Sequence, residues 1–233
     1  MRTSMVIYLE DHTVSYLCKK DLSKRLKSGI PTCLLTETSP SSFAIKTIKE
    51  RLRDLNENKA KPRSFYIEEA WRTKWFWKEA FNRMLFFAEY LSGRFEKFKV
   101  VGVDPRVSNL GFKDFKKEDK IFKKLLAVRG EFLENIHEKF LEEQAYMAWY
   151  IAKKVAELEN QGFKQFVFSV GHLHYAALRK YLPAPNRDIE FIRIYMPCDR
   201  RPRIINGTDS AVFRFLAFNE ELSDAWLLHK FFS

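Results

Sequence analysis

The chain has 233 residues, which is enough to bury a core in one large domain or two small ones. Hydrophobic residues make up 46% and aromatic residues 15%, with only 8 Gly and 8 Pro, so the composition excludes a disordered or low-complexity protein. The formal net charge of +11 favours acidic partners such as nucleic acid, an anionic membrane surface or phosphorylated ligands, but does not choose among them.

Cysteine usage and hydropathy predict a cytoplasmic location. Cys18, Cys33 and Cys198 form no CxxC pair and no dense disulfide framework, which fits a reducing compartment in which thiols are buried as small hydrophobic groups. The first apolar run ends at Glu10, too early for a signal peptide, and no window of about 18 apolar residues predicts a transmembrane segment.

The first part of the chain alternates between strand and helix patterns. Short β-prone runs predict strands at 5–9, 32–36 and 97–103. Apolar residues at helical spacing predict a helix at 16–26, and a helix with aromatic residues is predicted at 71–91. The serine-rich cap at 39–42 predicts a helix that extends to about residue 55, followed by an exposed loop at 56–63. The lysine-rich stretch at 113–124 predicts a solvated helix.

The second part continues the alternation and indicates the fold class. A helix is predicted at 130–160 and ends at Gly162, and a strand at 165–170 is followed by a helix to Leu182. Two more strands, at 189–194 and 211–218, precede a closing helix at 220–231. We therefore predict a single α/β domain over 1–233 with a mostly parallel central sheet, helices on both faces and an aromatic-rich helical insertion at about 65–95.

Histidines and carboxylates cluster at the ends of the predicted strands. The polar residues at these four ends are Glu10, Asp11 and His12, then Glu37, then Asp104 and Arg106, then His172 and His174. Carboxyl ends of parallel strands meet at one edge, where α/β proteins bind ligands. Imidazoles and carboxylates in one place can ligate a divalent metal or activate a water molecule, whereas a single histidine can equally be a helix cap or a core hydrogen-bonding group.

Several blocks of the sequence resemble the superfamily that joins TraB/PrgY proteins, Tiki metalloproteases, erythromycin esterases and ChaN-like proteins. The blocks are YLEDHTVSYL, TCLLTE and QFVFSVGHLHYAALRKYL, supported by VVGVDPR and by the helical segment EQAYMAWYI. Two positions depart from the superfamily pattern. Leu9 and Glu10 stand where a glycine usually precedes the histidine, and Glu143 and Gln144 stand where an arginine usually precedes Met-Ala.

The resemblance implies an erythromycin esterase/ChaN-like fold and a hydrolase acting on a small molecule or peptide. It implies His12, Glu37 and His172 as catalytic residues, with Glu10 and Asp11 beside them. In a Tiki-like mechanism these five residues would hold Mn²⁺, Co²⁺ or Zn²⁺, and the metal would activate the water.

An esterase-like mechanism needs no metal, because one histidine acts as the general base and a carboxylate orients it. Arg106 would then stabilise an oxyanion or bind a carboxylate or phosphate group, with Asp104 and His174 as further substrate-binding residues. The competing interpretation of Arg106 is a surface arginine in a proline-containing turn.

The distribution of basic residues supports a different class of function. Residues 94–129 hold 11 Lys or Arg against 5 acidic residues, and further arginines follow at Arg200, Arg201 and Arg203. These basic residues indicate an alternative to the hydrolase: a non-enzymatic module that binds nucleic acid or another anionic ligand. A solvated charged surface would show the same pattern. The missing glycine before His12 and the missing arginine before Met147 leave a third alternative, a catalytically inert member of the fold that docks a partner, and the oligomeric state stays open.

Overall fold

The structure is a computed structural model that describes residues 2–10, 16–71, 78–118, 135–171, 174–195 and 203–206. The described residues contain one six-stranded sheet. Its strands are β1 (Thr3–Glu10), β2 (Thr32–Thr36), β3 (Phe98–Gly102), β4 (Gln165–Gly171), β5 (Arg187–Tyr195) and β6 (Arg203–Asn206).

The sheet order β3-β2-β4-β1-β5-β6 places β4 between the first two strands of the chain. β1 to β5 are all parallel, whereas β6 pairs antiparallel with β5 at one end of the sheet. The register aligns Glu10 with Gly171, and Thr36 with both Ser169 and Gly102. The carboxyl ends of β1 to β4 therefore lie at a common edge, called here the carboxyl edge. The opposite edge, where these strands begin, is the amino edge.

Seven α-helices lie in the described part of the chain. They are α1 (Tyr16–Arg25), α2 (Phe43–Asn56), α3 (Arg63–Trp71), α4 (Lys78–Ser92), α5 (Phe112–Glu118), α6 (Asn135–Asn160) and α7 (Tyr175–Tyr181). Local chemistry sets two of their ends. The Ser42 hydroxyl accepts a hydrogen bond from the Ile45 amide and caps α2. Gly162, at φ +88°, takes the left-handed conformation that ends α6.

The helices cover both faces of the sheet, which confirms the predicted α/β class. Alternate residues along each strand point to opposite faces, so β1 contributes Ile7 to one core and Tyr8 to the other. The core containing Ile7 packs against α6 and α7, and the core containing Tyr8 packs against α1 to α4. The sheet is therefore buried between two helical layers.

Two elements differ from the sequence-based prediction. The structure has a helix at Arg63–Trp71, where we predicted the end of an exposed loop and a helix beginning at Trp71. Tyr66 anchors this helix: its ring is buried and its hydroxyl donates to Asp54 at 2.6 Å. The second difference is β6, a strand that begins at Arg203 and that the sequence analysis did not predict. The strand predicted at 211–218 and the closing helix at 220–231 lie outside the described residues.

The described cysteine and helices agree with the sequence-based expectations. Cys33 lies in the core, and burial raises the pKa of its thiol to about 12, although the charge of Lys99 acts in the opposite direction. Cys33 is therefore an inert core residue. The side chain of Cys18 is not described, and Cys198 lies outside the described residues. Within the described ranges, no helix combines the length and apolar character needed to cross a membrane.

Candidate active site

Polar residues from three strand ends meet at the carboxyl edge. Glu37 directly follows β2, Asp104 and Arg106 follow β3, and His174 follows β4. These three strands are neighbours in the sheet, with β2 in the middle. The position just beyond the carboxyl ends of parallel strands is where α/β proteins place their ligand sites.

Glu37 is the centre of this cluster because both of its carboxylate oxygens accept hydrogen bonds. Oε1 accepts from Nε2 of His174 at 2.8 Å, and Oε2 accepts from the backbone N–H of Gly171 at 3.2 Å. An ionised carboxylate can only accept hydrogen bonds, so Nε2 of His174 carries the proton. Within the described residues no hydrogen bond engages Nδ1 of His174. The pairing therefore fixes the ring and leaves Nδ1 as the nitrogen that can take a proton.

Arg106 brings a positive charge to the same place. Its Nε and Nη2 donate to the two oxygens of Asp104 at 2.9 and 2.8 Å, and its backbone N–H donates to Oδ1 of Asp104 at 3.0 Å. Nη2 also lies 3.6 Å from Oε1 of Glu37. Asp104 is buried, and its two hydrogen bonds to the guanidinium hold Arg106 in one orientation. The Arg106 side chain remains 28% exposed.

Backbone hydrogen bonds fix the distance between the segments that carry these residues. The Asp104 amide donates to the carbonyl of Thr38 at 2.9 Å. Gly102 allows this approach, because a Cβ atom there would lie 2.7 Å from the carbonyl oxygens of Thr38 and Ser39. The glycine at the end of β3 is therefore required for the segment after β2 to lie against the segment after β3.

The surroundings of Glu37 keep it ionised. Burial alone would raise the pKa of its carboxyl group, but the charge and hydrogen bond of His174, the N–H of Gly171 and the charge of Arg106 outweigh burial and lower it to about 2. The pKa of Arg106 is raised: burial acts against its charge, but the hydrogen bonds and charge of Asp104 prevail. The cluster is thus an ionised carboxylate and a fixed cation beside an imidazole.

Helix α6 supports the cluster with a residue that the sequence analysis did not select. Tyr146 is buried, and its hydroxyl donates to the carbonyl of Leu110 at 2.7 Å, which ties α6 to the segment that follows Arg106. Burial raises the pKa of this hydroxyl to about 12, so it stays protonated and acts as a donor. No local signal in the sequence identifies the contact of Tyr146, because Leu110 lies 36 residues before it in the chain.

The structure describes only part of the predicted site. It brings together Glu37, Asp104, Arg106 and His174, the last three of which were expected to bind substrate. Glu10 is the last residue of β1 and pairs in register with Gly171, but its side chain is not described. Three further candidates lie outside the described residues: Asp11, His12 and His172.

Of the five residues expected to hold a divalent metal, the structure describes the side chain of Glu37 only. Both oxygens of Glu37 accept hydrogen bonds, and Nη2 of Arg106 lies 3.6 Å from Oε1. Asp104 is likewise paired with Arg106. Among the described residues there is no group of three or more His, Cys, Asp or Glu side chains arranged to bind a metal ion.

The expected anion-binding surface around 200–203 is represented in the structure only by Arg203, whose backbone belongs to β6. Arg200 and Arg201 lie outside the described residues. Comparisons with known proteins found no matching family model, no matching curated protein and no matching solved structure. The resemblance to the TraB/Tiki/erythromycin esterase/ChaN-like superfamily therefore stays a hypothesis, and the site has to be interpreted from its own chemistry.

Proposed function

We propose that the protein is a hydrolase that cleaves an ester-type bond in a small molecule or peptide at the carboxyl edge, without a metal. The observation that carries this proposal is the 2.8 Å hydrogen bond between Glu37 and Nε2 of His174, with Arg106 beside it. A carboxylate that orients an imidazole is the arrangement that general-base catalysis by histidine requires.

Each residue has a distinct role in the proposed reaction. Nδ1 of His174 takes a proton from water as the water oxygen forms a bond to the carbonyl carbon of the substrate. The carbonyl oxygen becomes negatively charged, and Arg106 stabilises that charge. The intermediate then collapses, the bond to the leaving group breaks, and the imidazolium returns its proton to the leaving oxygen. Glu37 stays ionised throughout, and it stabilises the imidazolium by holding Nε2.

His12 and His172 remain candidates for catalytic roles in the same reaction. His172 directly follows Gly171, whose amide donates to Glu37, and His12 lies two residues beyond the end of β1. Either residue can serve as a second proton carrier for the leaving group. Variants at these two positions belong in the same assay as variants at His174.

The test is an ester-hydrolysis assay with carboxylic esters, lactones and phosphate monoesters. His174→Gln keeps an N–H donor for Glu37 but has no basic nitrogen, so we expect kcat to fall at least about 100-fold on any ester that the wild type cleaves. Glu159→Gln, at the amino edge, is the control: it alters a buried ion pair far from the cluster, and we expect kcat within about 2-fold of wild type.

The alternative, a module that binds nucleic acid or another anionic ligand, is favoured by the net charge of +11. It predicts no turnover in the wild type, unchanged binding in His174→Gln, and salt-dependent binding of oligonucleotides that charge reversal at Arg200, Arg201 and Arg203 abolishes. Turnover that survives in His174→Gln would contradict the role of His174. Absence of turnover together with such binding would replace the hydrolase by the binding module.

A further inference from the structure

Four lysines lie at the amino edge of the sheet, opposite the candidate active site. Lys97 directly precedes β3 and Lys99 belongs to it, Lys164 directly precedes β4, and Lys27 lies in the segment between α1 and β2. Lys27, Lys97 and Lys99 are exposed, and Lys164 is half-buried. These four residues are called here the amino-edge lysines.

Backbone hydrogen bonds fix the positions of the amino-edge lysines relative to one another. The Lys97 carbonyl accepts from the Thr32 amide at 2.9 Å, and the Lys164 amide donates at 3.1 Å to the carbonyl of the residue before Thr32. Lys97 and Lys164 therefore lie on either side of the start of β2, with their Cα atoms about 10 Å apart, twice the spacing of neighbouring strands. The Gln165 side chain accepts from the Lys27 amide at 2.9 Å and donates to the Thr32 hydroxyl at 2.9 Å. Separate segments of the chain thus bring their lysines to one surface.

One residue just beyond the end of α6 holds two of the ammonium groups. Nζ of Lys97 donates to the backbone carbonyl of Gln161 at 3.2 Å, and Nζ of Lys99 donates to Oε1 of Gln161 at 3.1 Å. The same two ammonium groups lie 5.2 and 5.9 Å from the centre of the Phe163 ring. These contacts orient the ammonium groups, but a carbonyl, an amide and an aromatic ring are neutral partners. The two positive charges therefore lie side by side without being neutralised.

The amino-edge lysines have no acidic partner within the described ranges, where no carboxylate forms an ion pair with any of the four. The nearby Glu159 is engaged by Arg187, and the exposed Arg94 and Glu96, in the loop before β3, offset each other in net charge. Four other lysines, in contrast, each pair with a carboxylate: Lys59 with Glu57, Lys116 with Glu142, Lys153 with Glu118 and Lys154 with Glu157. The amino edge therefore carries an excess of positive charge that is available to an anionic partner.

The surroundings of the amino-edge lysines indicate which kind of anion fits. Among the described residues only Phe43, the first residue of α2 and beyond the carboxyl end of β2, exposes a large apolar side chain. The ring of Phe163 is buried. A single-stranded nucleic acid stacks its bases on exposed aromatic rings, and a membrane surface or a protein partner needs apolar groups at the contact. The phosphate backbone of a duplex, by contrast, is bound by cations alone.

We propose that the amino-edge lysines bind the phosphate backbone of a nucleic acid duplex. This surface lies at the opposite edge of the sheet from Glu37 and His174, so the proposal does not rest on the hydrolase. It is also distinct from the arginine-rich segment at 200–203, since Arg203 pairs with Tyr195 at the carboxyl end of β5. Because the ammonium groups contact phosphates and not base edges, the binding is independent of base sequence and weakens steeply with salt.

The test is fluorescence anisotropy with a labelled duplex DNA of about 20 base pairs, titrated at several salt concentrations. Four phosphate contacts give a slope of about −3.6 for the logarithm of the binding constant against the logarithm of the salt concentration, and we expect wild type to be at least this steep. Lys97→Gln/Lys99→Gln keeps amide donors but removes two charges. We expect its slope to be less steep by about 2 and its affinity at about 0.1 M salt to fall at least about 10-fold.

The matched control is Lys116→Gln/Lys153→Gln, which removes the same net charge from two lysines that pair with Glu142 and Glu118. We expect its affinity to stay within about 3-fold of wild type, because these ammonium groups are already engaged. An equal loss in this control would show that net charge alone drives binding and would overturn the proposal. So would an unchanged slope in Lys97→Gln/Lys99→Gln together with a loss of binding in Arg200→Gln/Arg201→Gln/Arg203→Gln. Thermal denaturation of each variant verifies that it is folded.

Parallel titrations with other anions establish the kind of partner. Lysine-dependent binding of duplex DNA, of duplex RNA or of both supports the proposal, because the two duplexes present the same phosphate chemistry. Tighter binding of single-stranded DNA of the same length would overturn it. Binding to vesicles of phosphatidylcholine and phosphatidylserine at about 7:3 without binding to either duplex would do the same. Absence of binding to both duplexes at about 50 mM salt would also overturn the proposal, whether or not the protein cleaves esters.

Discussion

Two ionic clusters lie at opposite edges of the same sheet and differ in how completely their hydrogen-bonding groups are used. At the amino edge, Arg187 donates from Nε and Nη2 to both oxygens of Glu159 at 3.0 and 2.8 Å, and from Nη1 to the carbonyl of Leu182 at 2.9 Å. Their side chains are only 7% and 9% exposed. Each of the three guanidinium nitrogens therefore donates a hydrogen bond, and the pair is almost fully buried.

At the carboxyl edge the same types of group are left partly open. Arg106 uses Nε and Nη2 on Asp104, and within the described residues no hydrogen bond engages its Nη1. The side chains of Arg106 and Glu37 are 28% and 22% exposed. Both edges thus pair an arginine with carboxylates, but only the arginine at the carboxyl edge keeps charge and donor capacity available to a ligand. The number of hydrogen bonds that the groups make within the protein, rather than the presence of charge, therefore distinguishes a structural ion pair from a candidate site.

The largest expected difference between the two edges is in stability. Arg187→Met leaves the Glu159 carboxylate buried without its partner, and we expect the free energy of unfolding to fall by about 3 kcal/mol. Arg106→Met removes a more exposed cation, and Asp104 keeps the backbone N–H of residue 106 as a hydrogen-bond donor, so we expect a smaller loss of about 1 kcal/mol. Urea denaturation of both variants measures the difference. Equal losses of unfolding free energy in the two variants would show that the buried pair at the amino edge and the more exposed pair at the carboxyl edge contribute equally to stability.

A second test of the carboxyl edge changes the distance between the segments that follow β2 and β3. Gly102→Ala adds a Cβ atom against the carbonyls of Thr38 and Ser39, and we expect it to lower the free energy of unfolding by about 2 kcal/mol. Ester turnover should fall in the variant molecules that remain folded, because Glu37 moves relative to Arg106. Gly93→Ala is the control, since its Cβ atom would meet one backbone oxygen at an ordinary 3.6 Å. Unchanged turnover in Gly102→Ala would indicate that the spacing does not matter.

Lowering the pH tests the contribution of the Glu37 carboxylate to stability at the carboxyl edge. Its pKa is lowered in the folded protein from 4.5 to about 2, so its ionised form stabilises the fold above about pH 4.5, and this contribution is lost as the pH falls towards 2. Wild type should exceed Glu37→Gln in unfolding free energy by on the order of 2 kcal/mol at pH 6. The difference should shrink steadily between pH 4.5 and 2. A difference that is constant with pH would mean that the charge of Glu37 does not contribute.

The smallest expected effect is that of a chelator. The described donor groups at the carboxyl edge are occupied by one another, so dialysis against EDTA should change ester turnover by less than about 2-fold. Elemental analysis of protein purified without chelator accompanies the assay. Activity that is lost on dialysis and restored by Mn²⁺, Co²⁺ or Zn²⁺ would instead support the metal-dependent mechanism. The metal would then be bound by residues outside the described part of the chain.

Local sequence signals were sufficient for most of the elements and for part of the site. The run TCLLT gave β2 with the bounds that the structure has, because five apolar or β-branched residues between Pro31 and Glu37 have no competing helical pattern. Glu37, Asp104 and Arg106 were selected because a polar residue directly after a buried strand is exposed at a sheet edge. Helix α3 was missed because it is anchored by the contact of Tyr66 with Asp54, which no local pattern encodes.

Local patterns predicted the alternation of strands and helices, the parallel sheet between two helical layers and the edge at which polar groups collect, because hydrophobic period, caps and glycines act over a few residues. Which of these polar groups come into contact depends on the order of the strands in the folded chain. The strand order puts β2 between β3 and β4, so Glu37 lies where it can accept from His174 and approach Arg106. Likewise, the amino-edge lysines belong to separate segments of the chain, and no spacing in the sequence records that the strand order brings them to one surface.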